Sequence, residues 1–193
     1  MRAALYTASA RGLWRGGYPC GPSPLAPVID RPAPDAYAPF YAGYVAAVPD
    51  GDLLGTLASQ PDAWAALLDG ADADHAYAEG KWTVRELTQH VVDTERVFAF
   101  RALWWARGDG SPLPGFEQDV WVRHDPGQPL ASLVDELRAV RASTLAFARA
   151  LPPEALDCAG VASGATMSVR AALWIIAGHT AHHERILRER YLG

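Results

Sequence analysis

From Asp52 to Leu68, the residues Leu53, Leu54, Leu57, Trp64, Leu67 and Leu68 recur at intervals of three and four. That spacing gathers apolar side chains on one face of an α-helix. Pro61 falls inside the pattern and lacks an N–H, so it is expected to kink or split this helix. A shorter tyrosine-rich piece, residues 35–48, precedes it. The second pattern is Val84, Leu87, Val91, Val97, Phe98, Ala102 and Trp105. It opens at Thr83 and Glu86, a T-x-x-E capping box, and should run through Trp105 or Arg107 to stop at Gly108. The third pattern spans Leu130 to Leu151, with Leu133, Leu137, Val140, Leu145 and Phe147 inward, and ends at Pro152-Pro153. The fourth starts at Ser168 as N-cap and reaches about Tyr191. No segment alternates apolar and polar residues as a half-buried strand does. The expected class is therefore all-α.

The connections add to this picture. Residues 108–127 are far longer than the usual bundle connection of ~2–8 residues. Such a link has the length to return along the bundle, which allows the second and third helices to run parallel. Long loops also tend to carry function, and this one holds Phe116, Asp119 and Trp121. Residues 1–34 contain glycines 12, 16, 17 and 21 and six prolines, with no apolar period. They read as an irregular or disordered extension before a single bundle domain, residues 35–193.

Composition narrows the possible functions. The 193 residues carry a net charge of −5, and Lys81 is the only lysine. The arginines are spread along helices, which argues against a nucleic-acid surface. Cys20 and Cys158 are too few for a disulfide scaffold or a zinc ribbon and read as unpaired thiols. No apolar run reaches the ~18–20 residues that span a bilayer. The stretch from Ala3 to Tyr6 is too short for a signal-peptide core. A cytoplasmic protein is expected.

Candidate chemistry lies in the histidines. His179 and His183 are about 40° apart on a helix and one turn apart along it, the spacing two imidazoles need to share one ion. Ile175, Ile176, Ile186 and Leu187 continue their face, so it is the buried one. His182 falls off that face. His90 sits midway along the second helix, with Leu87, Val97 and Asp93 nearby at helical spacing. A third imidazole facing the pair would make a three-histidine site with open coordination positions, as in catalytic zinc sites. Spacing does not bring His90 to the pair, and hydrogen bonding of the pair to bundle carboxylates is the alternative. His75 and His124 lie in predicted loops.

Several blocks are similar to one known family. They are Gly80-Lys81-Trp82-Thr83-Val84-Arg85-Glu86-Leu87 with His90, then Asp93 through Arg101, then Pro112-Leu113-Pro114-Gly115-Phe116 with Asp119. Ile175 through His179 with His182-His183 is a further block, and Arg31-Pro32 with Tyr41-Ala42-Gly43-Tyr44 matches the usual start. Over residues 31–192 the chain resembles the DinB-like superfamily, which is unrelated to the translesion polymerase of the same name. The resemblance implies a four-helix bundle in up-down-down-up order. It also implies a divalent metal, nickel or zinc, on His90, His179 and His183. An uninterrupted first helix is usual there, so Pro61 is a departure.

The family includes bacillithiol S-transferases and a mycothiol-dependent maleylpyruvate isomerase. The first functional expectation is therefore a metal-dependent enzyme that uses a low-molecular-weight thiol against a small electrophile. Asp93 would orient a ligand histidine or act as base, and Arg101 would bind a substrate or cofactor anion. The second is a hydrolase using metal-bound water. No H-E-x-x-H arrangement is present, and Glu184 points about 100° away from His183 on a helix. The third is a non-catalytic metal-binding protein of the DNA-damage or stress response. Trp104, Trp105, Trp121 and Trp174 are many for one bundle core, and Trp104 and Trp105 diverge on their helix. A homodimer is expected from this, with cover by the 108–127 loop as the alternative.

Overall fold

The computed structural model describes residues 27–124 and 126–192. Cys20 and residues 1–26 of the expected extension lie outside that range. Among these residues there are six α-helices: α1 (Ala42–Ala47), α2 (Leu53–Leu67), α3 (Val84–Ala106), α4 (Gln118–Val122), α5 (Leu130–Arg149) and α6 (Val169–Ile186). The chain folds as a four-helix bundle of α2, α3, α5 and α6. Each of α2 and α3 packs mainly on both α5 and α6, so α2 sits diagonally from α3 and α5 from α6.

Contacts fix the directions. Arg85 reaches the backbone of Gln128, Arg96 reaches Glu136 and Glu95 reaches Arg141, so α3 and α5 run parallel. Asp62 pairs with Arg138 while Leu57 meets Arg141, so α2 opposes α5. Trp82 meets Tyr191 while His90 meets His179, so α3 opposes α6. The order is up-down-down-up.

Local chemistry sets the helix ends. The Asp52 carboxylate accepts from Gly55 N at 2.9 Å. Thr83 and Glu86 form the full capping box, and Ser168 Oγ accepts from Ala171 N at 3.0 Å. After Ile186 the last helix widens into a π-turn through Tyr191. Pro61 does not split α2, contrary to expectation. A proline cannot donate to the carbonyl four residues earlier, here Leu57. That carbonyl accepts instead from Arg141 Nη1 at 2.5 Å. The same guanidinium binds both Glu95 oxygens, Gln60 Oε1 and Thr180 Oγ1, and Arg141 and Glu95 are both fully buried. One polar hub therefore ties all four helices together.

A second departure is a short antiparallel hairpin, β1 (Ala159–Ala162) and β2 (Ala165–Ser168). Four-residue strands of small side chains are too short to show alternation. The Ser163-Gly164 turn has φ of 54° and 79°, the left-handed pair of a tight hairpin turn. The long 108–127 connection docks on this hairpin: Leu113 N donates to Val161 O at 2.9 Å and Ser163 N to Leu113 O. Trp105 is buried beneath it, with Gly160 lying directly on the indole. Trp104 is half-buried against Phe100, and Trp174 is buried and donates to Ile29 O. Arg31 donates to Val45 O and Val48 O, which holds the irregular residues before α1 on the bundle. Among the described residues no helix is long and apolar enough to cross a membrane.

Candidate metal centre

The inner faces of α3 and α6 meet where both carry histidine. His90 Nε2 lies 3.0 Å from His179 Nε2, and His183 Nε2 lies 3.1 Å from His179 Nε2. Ring nitrogens of the three all fall within 4.8 Å of one another, and all three residues are buried. Among the described residues no carboxylate is hydrogen-bonded to any of these rings. His182 packs edge-on against Tyr44, 5.2 Å between ring centres, and stands outside the triad.

No arrangement of protons satisfies this cluster. A neutral imidazole nitrogen either donates one hydrogen or offers one lone pair. His179 Nε2 faces two other Nε2 atoms, so at most one of its contacts is a good hydrogen bond. Protonation is no remedy, because burial drives the histidines toward the neutral form. His90 is pushed down to about 4 by desolvation, partly countered by Asp119. His179 and His183 are lowered well below the usual histidine value, first by desolvation and then by the neighbouring histidines. Three uncharged donors around one point fit a cation. Nitrogens bonded at about 2.1 Å to one ion lie about 3.0–3.4 Å apart, which matches the two shorter separations. His183 Nδ1 is buried with no partner, and His90 Nδ1 has only a long 3.5 Å contact to Thr94 Oγ1. The outer shell of the triad is therefore sparse.

Two cavities flank the triad. One, of about 300 Å³, is bordered by His90, His179, Tyr41, Tyr44, Arg101 and Asp119. The other, of about 330 Å³, is bordered by His183, Trp82, Tyr191 and again Asp119. Asp119 sits on α4 in the long connection and lines both, close enough to raise the proton affinity of His90. Tyr44 stacks edge-on against His179, and its hydroxyl is raised above the usual tyrosine value by burial and then by Tyr41. α1 comes this close because Gly178 has no side chain. A Cβ there would strike the Tyr44 carbonyl.

The structure thus brings His90, His179, His183 and Arg101 to one place. Asp93 lies elsewhere: its carboxylate accepts from Gln89 and Arg96, and it lines a third cavity. Its pKa is raised chiefly by burial. Asp119, Tyr44 and Ser163 border the histidine cavity, yet nothing in their spacing assigns them a chemical role. Asp119 and Tyr44 stand in blocks that resemble the family, Asp119 also in a long loop, and Ser163 has only the Ser-Gly pair of a turn.

Comparison with known proteins agrees with this geometry. The model of the DinB superfamily matches residues 56–187, more than half of the chain. A protein of Oceanobacillus iheyensis named "putative metal-dependent hydrolase" is 27% identical over 119 residues, covering 60% of this chain and 68% of that protein. The solved structure of YfiT from Bacillus subtilis is described as "a probable metal-dependent hydrolase with an unusual four-helix bundle topology". It matches with a TM-score of 0.65 and 16% identity, over 71% of this chain and 82% of that one, a likeness of fold.

Proposed function

This chain belongs to the DinB superfamily, and we propose that it is a hydrolase whose one divalent ion, nickel or zinc, is held by His90, His179 and His183. The observation that carries this is the set of buried, neutral Nε2 atoms that no proton arrangement satisfies. All-imidazole donors suit either metal. When bound, the ion would supply Lewis acidity, polarising a carbonyl-type group and acidifying water.

The protein supplies the rest. Asp119 reaches both cavities from a connection that is not itself part of the bundle, and takes the proton of the attacking water. Tyr44 keeps its proton at neutral pH and donates to the oxyanion that develops as water adds. Arg101, which borders the same cavity, holds the substrate by its charge. Thiol transfer would use the same centre. Asp119 is what favours hydrolysis, since water is a far weaker acid than a thiol and has the greater need of a base.

Elemental analysis of the purified protein, followed by ester and amide substrates with and without added thiol, tests this. One equivalent of metal is expected in the wild type and almost none in His90→Ala. Asp119→Asn should keep the metal and lose about 10²-fold in kcat. Unchanged metal in His90→Ala would refute the site. Turnover only in the presence of a thiol would favour transfer over hydrolysis.

A further inference from the structure

Among the described residues two arginines are fully buried, and they behave differently. Arg141 has its counter-ion, Glu95, at 2.8 Å. Arg101 is only 2% exposed, yet among the described residues no carboxylate lies within ion-pair distance of it. Its partners are neutral. Nη2 donates to Pro114 O and to Ser163 Oγ, both at 3.1 Å, and the Tyr41 hydroxyl is a further hydrogen-bond partner. Its guanidinium lies 5.0 Å from the Phe98 ring centre and 6.0 Å from that of Phe116. A buried cation without a counter-charge is costly, and this one borders the histidine cavity. Both of its fixed bonds use Nη2, which leaves the other nitrogens of the fork to Tyr41 and to a ligand. The group that orients it is also unusual: Ser163 is the one non-glycine with positive φ among the described residues.

Arg101 and Phe116 also line a second space on their other side. It is a mainly apolar groove of about 350 Å³, the size of a small ligand pocket, walled by Val97, Phe100, Leu113, Pro114, Phe116 and Trp121, with the ion pair of Asp93 and Arg96 also on its lining. Phe100 is 49% and Trp121 43% exposed, and Trp121 stacks on Phe116 with 4.8 Å between ring centres. Large exposed aromatics beside a buried charge are the two halves of an amphiphile's binding site.

We propose that the substrate is an anionic amphiphile, with its anionic group on Arg101 beside the histidines and its apolar group in the groove of Phe100, Leu113, Phe116 and Trp121. This rests on the hydrolytic centre proposed above, since it names what that centre acts on. Glu117 and Asp119 border the same cavity, but with a divalent ion present the positive charges there still outnumber the negative.

Calorimetric titration of the metal-loaded full chain with octanoate, octanamide and butyrate tests the proposal. Octanoate is expected to bind at least tenfold tighter than octanamide, which has no charge. It should also bind at least tenfold tighter than butyrate, since each buried methylene contributes about fourfold. Arg101→Met should erase the preference for the anion and keep the preference for the longer chain. Phe100→Ser should do the reverse. Loss of folding would erase both together, so Arg101→Lys, which keeps the charge, is compared as well: it should still bind octanoate more tightly than octanamide, and in the wild type the two must differ. Equal affinity for those two overturns the proposal. So does an anion preference that survives in Arg101→Met, because the carboxylate would then sit on the ion alone. Absence of metal in the purified protein would count against the hydrolytic centre, while the same titrations would still test Arg101.

Discussion

Replacing Arg141 by methionine removes the hub that joins the four helices. Glu95 loses both of its guanidinium bonds while remaining buried. Breaking a buried ion pair by removing one partner costs about 3–5 kcal/mol. Leu57 O loses its donor at the same time, and Pro61 has no N–H to replace it. An orphaned buried carbonyl adds about 1–3 kcal/mol. A chain of this length shifts its Tm by about 2–4 °C per kcal/mol, so Arg141→Met should melt roughly 10–25 °C below the wild type. Two double variants separate the parts. Arg141→Met with Glu95→Leu removes the stranded charge and should recover most of the loss. Arg141→Met with Pro61→Ala restores an N–H at helical spacing from Leu57 O and should recover about 1 kcal/mol, a gain absent when Pro61→Ala is made alone. Calorimetry of the metal-free proteins measures all four. A Tm for Arg141→Met within 2 °C of the wild type would refute the reasoning, and equal effects of Pro61→Ala in both backgrounds would refute its proline part.

Two further outcomes follow from the site. His90 titrates near 4 in the folded chain, so an unfolded chain, with histidine near 6.5, binds the proton first as pH falls. Stability of the metal-free protein should therefore be full above about pH 6.5 and decline toward pH 4, with His90 alone contributing up to about 2 kcal/mol of the loss at pH 5. Urea midpoints at pH 7 and pH 5 should differ less in His90→Gln than in the wild type, and an identical difference would count against it. Gly178→Ala drives a methyl group into the Tyr44 carbonyl and should cost about 1–3 kcal/mol. Gly43→Ala meets open space on α1 and should be neutral or stabilising by up to about 1 kcal/mol. A Gly178→Ala protein as stable as the wild type would show that α1 is not seated on α6.

The bundle was legible because its four helices carry apolar stripes and local stop signals. Thr83, Glu86 and Ser168 announce their caps in sequence, and each side chain makes the bond expected of it. The split expected as one outcome of Pro61 does not occur, for the opposite reason. Its compensation comes from Arg141, 80 positions further on, and nothing local signals it. The i, i+4 histidines show in sequence because one helix fixes their relation. That His90 faces them depends on how α3 and α6 pack, which the spacing leaves open and the family resemblance supplies. Asp119 stood out only by its place in the long loop and in one block of the family resemblance, and Ser163 was not visible at all. Each is placed by a loop that docks on a distant element, the 108–127 connection on the hairpin and the hairpin turn on Arg101.

That division between helices and loops has a functional consequence. The three histidine nitrogens proposed as ligands sit on two long helices joined by the Arg141 hub, so their separation is set by the packing of the bundle itself. The groups assigned to the proton and to the substrate charge depend on peripheral segments: Asp119 on α4, Tyr44 on α1, and Arg101 oriented by Pro114 and Ser163. Rigid elements suit a metal cage, and loops suit a surface that must vary with the substrate. Substitutions in the loops should change KM and kcat while leaving the metal stoichiometry intact. Substitutions along the inner faces of α3 and α6 should change the stoichiometry first.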